Sequence, residues 1–357
     1  MARLSTYLLR LFSAEAMALF AVAAFLLYLI QCLRLFDVVA SRGQSLLTLL
    51  GQALLGMPSL GIVFLYVCFG IGLGRALRNL QARSELQIIH VSSLLPALVR
   101  ATAVYALGGT LLLLALAHIV DPLSIRSSNA WSASIAADLV SRSMIPHRFT
   151  EVVDGVSMVI GSRDAEGRIT DFFADDKRSE ISRRTYFAKS AIITRDEQGF
   201  MLRMQDGAMQ QMGANKRFSQ ISFARYDLAL DQLTGEVEQE DTLAQTPSYA
   251  FGKALSRNEI KALVRRTVEG LRVAAICLFV AALVAFPTGK RRRIEIPIEL
   301  TVLGAAFLER GTTSYLPLLP APYNALTGVL LLGLLGLVML LVRFRVFVPM
   351  RLKRLPA

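Results

Sequence analysis

The apolar stretch LLTLLGQALLGMPSLGIVFLYVCFGIGLG, residues 46–74, decides the fold class because it contains no charged side chain. A helix needs roughly 20 apolar residues to cross a bilayer core of about 30 Å, and this stretch is longer than that. Pro58 predicts a kink within it. Three other runs meet or approach the same length, at 17–33, 101–120 and 325–342. Two weaker runs, at 273–287 and 296–319, complete the set. The sequence therefore predicts an α-helical membrane protein with six transmembrane helices.

The charge distribution also favours a membrane protein and argues against nucleic-acid binding. Only 18% of the 357 residues are charged, and the formal net charge is +12. The basic residues cluster at the ends of apolar runs, as the positive-inside rule describes. The clusters after the second, fourth and sixth runs are Arg75, Arg78 and Arg83; Lys290, Arg291, Arg292 and Arg293; and Arg343, Arg345, Arg351, Lys353 and Arg354. An even number of spans with both termini in the cytoplasm places all of these clusters on one side.

A large insert separates the first three spans from the last three. We expect spans one to three in 1–120, a soluble domain in 121–263, and spans four to six with a short tail in 264–357. The insert begins as helix and then shows short apolar runs of period two, which predict strands. Turn signals separate these runs at 164–167, 196–199 and 206–207. Successive hairpins of this kind predict an antiparallel sandwich or jelly roll. Ser256 is a suitable N-cap for the helix that leads into span four.

The sequence offers little support for an enzyme. It contains no G-x-x-x-x-G-K-[ST] motif, so the chain is not expected to hold a nucleotide by that route. The histidines and cysteines share no metal-ligand spacing, and they are His90, His118, His147, Cys32, Cys68 and Cys277. We therefore predict neither catalytic residues nor a metal or other cofactor.

Charged residues at membrane depth are the first candidate site. Glu309 and Arg310 are adjacent within the fifth apolar run, and Arg34 lies at the outer end of the first. Ionisable side chains are costly in a membrane, so they usually pair or face a polar cavity. Glu309 and Arg310 either form an ion pair with a neighbouring helix or meet a charged lipid headgroup. Arg34 either meets the same headgroup or simply reaches the interface.

The basic segment after the second span is the second candidate site. It reads RALRNLQARSELQIIHVSS over 75–93, with Glu85 as its one acidic residue. A short helix is expected near 81–95, with Ser84 as a weak cap. Arg83, Glu85 and Leu86, together with nearby apolar residues, suit a helix that docks into a groove on a soluble partner. The alternative is a solvated loop on the membrane surface.

This layout resembles the LptF/LptG permease family of the lipopolysaccharide export ABC transporter. The resemblance covers nearly the whole chain, and its local matches are RSELQIIHVSS, MIPHRFTEVVDGVSMVIGSRDAEGRITDFFADD and FARYDLAL. Residues 89–93 read IHVSS where the family usually has an Ala-Gly-containing stretch. The start MARLSTYLLRLF is more similar to the F-type subunit than to the G-type.

The resemblance implies a permease subunit of the bacterial inner membrane that extracts lipopolysaccharide. Its expected partners are a cytoplasmic ATPase dimer, a second homologous six-helix permease and a single-span periplasmic bridge protein at the jelly roll. ATP would be hydrolysed by the partner subunit. Glu85 matches the acidic position of the family's coupling helix, and Ser84, Leu86 and Arg83 flank it. Arg34, Arg310 and Glu309 are carried over, by location, as candidate headgroup contacts.

Two other interpretations stay open. The first is a permease of another lipid or lipoprotein ABC exporter. A membrane-anchored periplasmic sensor or scaffold is the alternative from a different class. A sensor needs a cytoplasmic output domain, and the cytoplasmic loops are too short to hold one. A scaffold gives no reason for charges inside span five.

Overall fold

The computed structural model describes the chain in segments, as one helical and one sheet-containing unit. The described residues are 2–41, 46–92, 94–143, 146–153, 155–164, 168–178, 183–196, 199–212, 218–229, 242–252, 255–287, 297–316 and 318–352. The chain divides into two compact units. The helix unit comprises 1–125 and 243–357, and the sheet unit comprises 126–242.

Ten α-helices are found in the described residues. Before the sheet these are α1 (Ala2–Ser41), α2 (Leu46–Leu55), α3 (Met57–Ala82), α4 (Glu85–Val91), α5 (Leu95–Ala115) and α6 (Asp121–Ser143). After it come α7 (Thr242–Gln245), α8 (Arg257–Val284), α9 (Ile298–Tyr315) and α10 (Leu326–Leu352). Short 3₁₀ turns cover Ser248–Ala250 and Tyr323–Ala325.

Five of these helical segments are long and apolar enough to cross a membrane, counting the described residues alone. They are Arg3–Phe36, Met57–Ala82, Leu95–Ser132, Arg257–Val284 and Tyr323–Arg343. The remaining predicted span, the fifth at 296–319, corresponds to α9, which has 18 residues. Glu299, Glu309 and Arg310 lie within it. The prediction of six spans is therefore not confirmed as a count, because this helix carries three charges.

The apolar run 46–74 forms two helices instead of one kinked helix. Helix α2 ends at Leu55, and α3 begins at Met57 with Pro58 in its first turn. Proline has no amide hydrogen to donate, so it is tolerated at the start of a helix but not in its interior. Pro58 therefore marks a helix start, and the break comes where the sequence predicted a kink.

A π-helical turn joins α5 to α6 without a break. It covers Leu116–Val120, immediately before Asp121 and Pro122. Pro122 cannot donate to the carbonyl four residues earlier, and its ring would collide with that carbonyl in a regular α-helix. The wider π turn accommodates this residue. The third apolar run therefore continues as helix to Ser143, where the sequence placed the start of the insert at residue 121.

Close approach of α1 and α3 forms the first part of the helix-unit core. Leu8, Phe12 and Ala16 on α1 are buried against α3. A Cβ atom added to Gly72 would lie 2.6 Å from the backbone of Ala16. Only glycine permits this backbone separation, as at many close helix contacts in membranes.

Gly72→Ala should lower the free energy of unfolding by about 1–3 kcal/mol, because the new methyl group forces two backbones apart. Gly108→Ala is the matched control on α5, where an added Cβ meets nothing within 4 Å. That control should be neutral or stabilising by up to about 1 kcal/mol, since alanine favours helix. Thermal unfolding of the purified chain in detergent measures both, and equal effects would contradict the close α1–α3 contact.

The sheet unit holds one antiparallel sheet. Its strands are β1 (Thr150–Val153), β2 (Val156–Val159), β3 (Ser162–Arg163), β4 (Ile169–Asp176), β5 (Arg183–Asp196), β6 (Gly199–Met212) and β7 (Phe218–Ala229). The order is β1-β2-β4-β5-β6-β7, and β3 pairs with β4. The predicted antiparallel strands are confirmed. In the part of the chain that the structure describes they follow one another in chain order, as in a meander.

A row of charged residues crosses the middle of this sheet, where the sequence predicted a turn at 206–207. That prediction is wrong, because β6 runs unbroken through Asp206. Asp206 and Asp171 both have a positive φ, of 52° and 48°. In the register, Lys189 of β5 lies between them. The left-handed residues interrupt the alternation of buried and exposed side chains along the strand. The next buried residue of β4 after Ile169 is therefore Phe172, three positions on, and both lie on the same face of the sheet.

A cluster of charged and polar side chains lies at the end of the β4–β5 pair. Asp175 is only 4% exposed and accepts hydrogen bonds from Arg183 Nε and Nη2 at 2.8 and 2.7 Å. Thr185 Oγ1 donates to the same carboxylate at 3.1 Å. The Arg183 guanidinium holds the pKa of Asp175 below its usual value, so this carboxylate stays ionised at neutral pH.

Candidate functional site

A buried ion pair joins α8 to α9. Arg272 is 8% exposed and Glu309 is 3% exposed. The Arg272 Nε lies 3.2 and 3.1 Å from the two carboxylate oxygens of Glu309. Glu269, one turn earlier on α8, lies 2.5 Å from Arg272 Nη1. For Glu309 the structure therefore has the ion pair with a neighbouring helix, which was one of the two interpretations of this residue.

Arg310 occupies a different position from Glu309, although the two are adjacent in sequence. Consecutive residues of a helix point about 100° apart, so they reach different neighbours. The Arg310 guanidinium carbon lies 5.8 Å from the ring centroid of Tyr66, a cation–π distance. Its Nη2 is buried and has no hydrogen-bond partner among the described residues. Arg310 thus has a donor available for a ligand.

Arg310 lines a cavity of about 520 Å³ between α8, α9 and the turn before α10. We call this cavity the basic pocket. Four cations and one carboxylate line it, and they are Lys261, Arg265, Arg272, Arg310 and Glu269. Thr313, Ser314 and Asn324 add polar groups. The excess of positive charge and the hydrogen-bond donors suit a phosphate or carboxylate group.

The α8 residues of the basic pocket were missed in the sequence. Lys261, Arg265, Glu269 and Arg272 are spaced by four, four and three residues, which places them along one face of a helix. This charged stripe was a detectable signal, but residues 256–272 were read as an approach to the membrane. Ser256 is the N-cap of α8, as predicted. The Ser256 Oγ accepts from the Glu259 amide at 3.3 Å, and the Ser256 amide donates to the Glu259 carboxylate at 2.6 Å.

Arg34 is not among the residues that line the basic pocket. It lies exposed on α1, and the described residues provide it with no ion pair or hydrogen bond. The three residues predicted to meet a headgroup are therefore in three environments. Glu309 is paired, Arg310 lines the pocket, and Arg34 is exposed elsewhere.

The predicted docking helix is present as α4, with its residues arranged differently from the expectation. Ser84 precedes it with a left-handed φ of 59° and makes no side-chain capping hydrogen bond. Arg83 is exposed and Glu85 is half-buried. Leu86 is fully buried in the helix-unit core, so it packs inward and is not available to a partner. The exposed apolar residues of α4 are Ile88 and Val91, at 62% and 81%.

Comparison with known proteins gives the family. A search of curated protein sequences finds no match to this chain. The family model described as "Lipopolysaccharide export system permease LptF/LptG" matches residues 6–343, which is nearly the whole sequence. The same residues include the membrane helices, α4 and the sheet. The chain therefore belongs to the LptF/LptG family of lipopolysaccharide export system permeases.

Proposed function

We propose that this chain extracts lipopolysaccharide from the inner membrane and passes it to a periplasmic bridge protein, driven by a separate ATPase. Extraction needs an external energy source, because each acyl CH₂ moved out of lipid costs about 0.8 kcal/mol. A lipid with several acyl chains therefore does not leave the membrane unaided at a useful rate. The ATPase would supply this energy at α4.

The exposed apolar face of α4 is the observation that carries the proposal. Ile88 and Val91 protrude from a seven-residue helix between two long membrane helices. Apolar residues exposed to this degree beside charges are typical of an interaction site. Glu85 and Arg83 flank them and suit polar contacts at the rim. The ATPase is the partner that family membership implies for this segment.

The basic pocket would receive the anionic headgroup. The pocket has an excess of positive charge from Arg310, Arg265 and Lys261, because Arg272 is already paired with Glu269 and Glu309. A phosphate group would neutralise this excess and take up the free Arg310 donor. In this proposal α9 is also a membrane helix, the fifth of six in chain order, with Glu309 and Arg310 near its outer end. Both termini then lie in the cytoplasm.

The helix α1 and the strand β7 would contact the other partners. Only 6% of the most apolar part of α1 is buried, against 67% for α3, so α1 is left for lipid or a second permease. Strand β7 has twelve residues and pairs only with β6 among the described strands. Its other edge suits a bridge protein that adds a strand.

Co-purification tests the whole proposal. The tagged chain should bring down an ATPase, a second six-span permease and lipopolysaccharide, identified by mass spectrometry. Recovery of a different ATPase with lipoprotein would indicate another ABC exporter. Recovery without any ATPase would contradict the proposal.

Ile88→Asp combined with Val91→Asp should weaken binding of the ATPase at least tenfold, or about 1.4 kcal/mol, since charges replace buried contacts. Titration of the ATPase against the membrane complex in nanodiscs measures this affinity. Ile221→Asp is the control, because Ile221 is also exposed, at 55%, but lies on β7. An unchanged affinity in the double variant would remove α4 as the docking site.

A further inference from the structure

His90 connects α4 to the end of α8. Its Nε2 lies 2.8 Å from the carbonyl oxygen of Ala285, so the Nε2–H donates to that carbonyl. Its ring also packs on Phe286, with 5.7 Å between the ring centroids. Ala285 follows directly after Val284, the last residue of α8. The last carbonyls of a helix have no partner within the helix, and His90 satisfies one of them from another segment.

Arg343 of α10 holds the same helix end from a second direction. Its Nη1 donates to the Leu283 carbonyl at 2.6 Å, and its guanidinium lies 6.0 Å from the Phe286 ring centroid. Two side chains therefore donate hydrogen bonds to carbonyls at the C-terminal end of α8. His90 comes from the docking helix α4, and Arg343 comes from a membrane helix.

The two ends of α8 contact two different sites. Lys261 and Arg265 near its start and Arg272 at its middle line the basic pocket, and Ala285 at its end is bound by His90. A helix of 28 residues is about 42 Å long, so one continuous helix connects the two sites. Ile88 and Val91, on either side of His90 in sequence, are the exposed apolar residues of α4. The His90–Ala285 hydrogen bond is thus a direct link between α4 and the end of α8.

We propose that His90 is a positioning residue that transmits movement of α4 to α8, and through α8 to the basic pocket. This inference rests on the proposed function, in which an ATPase moves α4. It assigns a role to a residue that lies where the family usually has an Ala-Gly-containing stretch. In this inference His90 acts through its contacts with Ala285 and Phe286.

His90→Phe keeps a ring on Phe286 but removes the donor to Ala285. In proteoliposomes with the ATPase and partner permease, we expect lipopolysaccharide moved per ATP hydrolysed to fall about fivefold, the factor that matches one hydrogen bond of about 1 kcal/mol. The yield of assembled complex should remain unchanged. His90→Gln restores a donor and should recover most of the ratio.

Arg343→Gln is the matched control, because it loosens the same end of α8 without touching α4. It should lower thermal stability but keep the transport ratio. An unchanged ratio in His90→Phe, or an equal fall in Arg343→Gln, would overturn the role of His90. If the unaltered chain binds no ATPase or moves no lipopolysaccharide, the proposed function itself fails, which separates the two results.

Discussion

Replacing Glu309 with glutamine is expected to lower the free energy of unfolding by about 1.5–3 kcal/mol, because the carboxylate accepts charge-assisted hydrogen bonds from a buried arginine. Arg272 is 8% exposed, and the change removes one of its two carboxylate partners from the interior of the helix unit. The change takes away the carboxylate that accepts from the Arg272 Nε and leaves Glu269 as the remaining carboxylate partner of this buried guanidinium. Thermal or denaturant unfolding in detergent measures the loss.

Glu299→Gln is the matched control on the same helix. Glu299 pairs with Arg75 at 2.7 Å, but the two side chains are 36% and 41% exposed. An exposed pair of this kind contributes about 0–1 kcal/mol. If Glu309→Gln alone is no more harmful than Glu299→Gln, the ion pair does not support the α8–α9 contact.

Reversing two charges in the basic pocket should produce the largest effect on lipid binding. We expect Lys261→Glu with Arg265→Glu to weaken binding of lipopolysaccharide at least tenfold, or about 1.4 kcal/mol, since two attractions to an anionic headgroup become repulsions. Lipopolysaccharide retained by the purified complex, quantified by mass spectrometry, gives the result. The free donor of Arg310 predicts a smaller loss, in the same direction, for Arg310→Ala.

The control for this reversal carries the same change in net charge. Lys189→Glu with Arg168→Glu alters two exposed residues of the sheet unit that are outside the pocket. It should leave lipid retention within about twofold of the unaltered chain, because neither residue lines the basic pocket. Equal losses in the two double variants would indicate a general effect of net charge and would contradict a headgroup site at α8.

Much of the architecture could be predicted because its signals are local. Runs of about 20 apolar residues specify membrane helices wherever they occur, and alternating residues with short turns specify antiparallel strands. The capping box at Ser256 and Glu259 is likewise contained in four residues. The weakest prediction was the fifth span, since α9 carries three charges, two of which pair with arginines on other helices.

The errors arise where a local signal has two structural meanings. Asp206-Gly207 is typical of a turn, yet the same tolerance of positive φ lets Asp206 sit inside a strand. Leu86 was read as part of a docking surface, but it is Ile88 and Val91 that are exposed. The pattern of apolar residues along a short helix does not by itself indicate which face packs against the rest of the chain.

The sequence by itself determined the membrane class, the inserted antiparallel domain, the short helix after the second span and the family resemblance. The tertiary structure decided which charges meet. Arg272 and Glu309 are 37 residues apart, and His90 and Ala285 are 195 apart. Such pairs form only when packed helices bring distant positions together. For that reason no local pattern could identify the partner of Glu309, the helices that enclose the basic pocket or the contact that His90 makes.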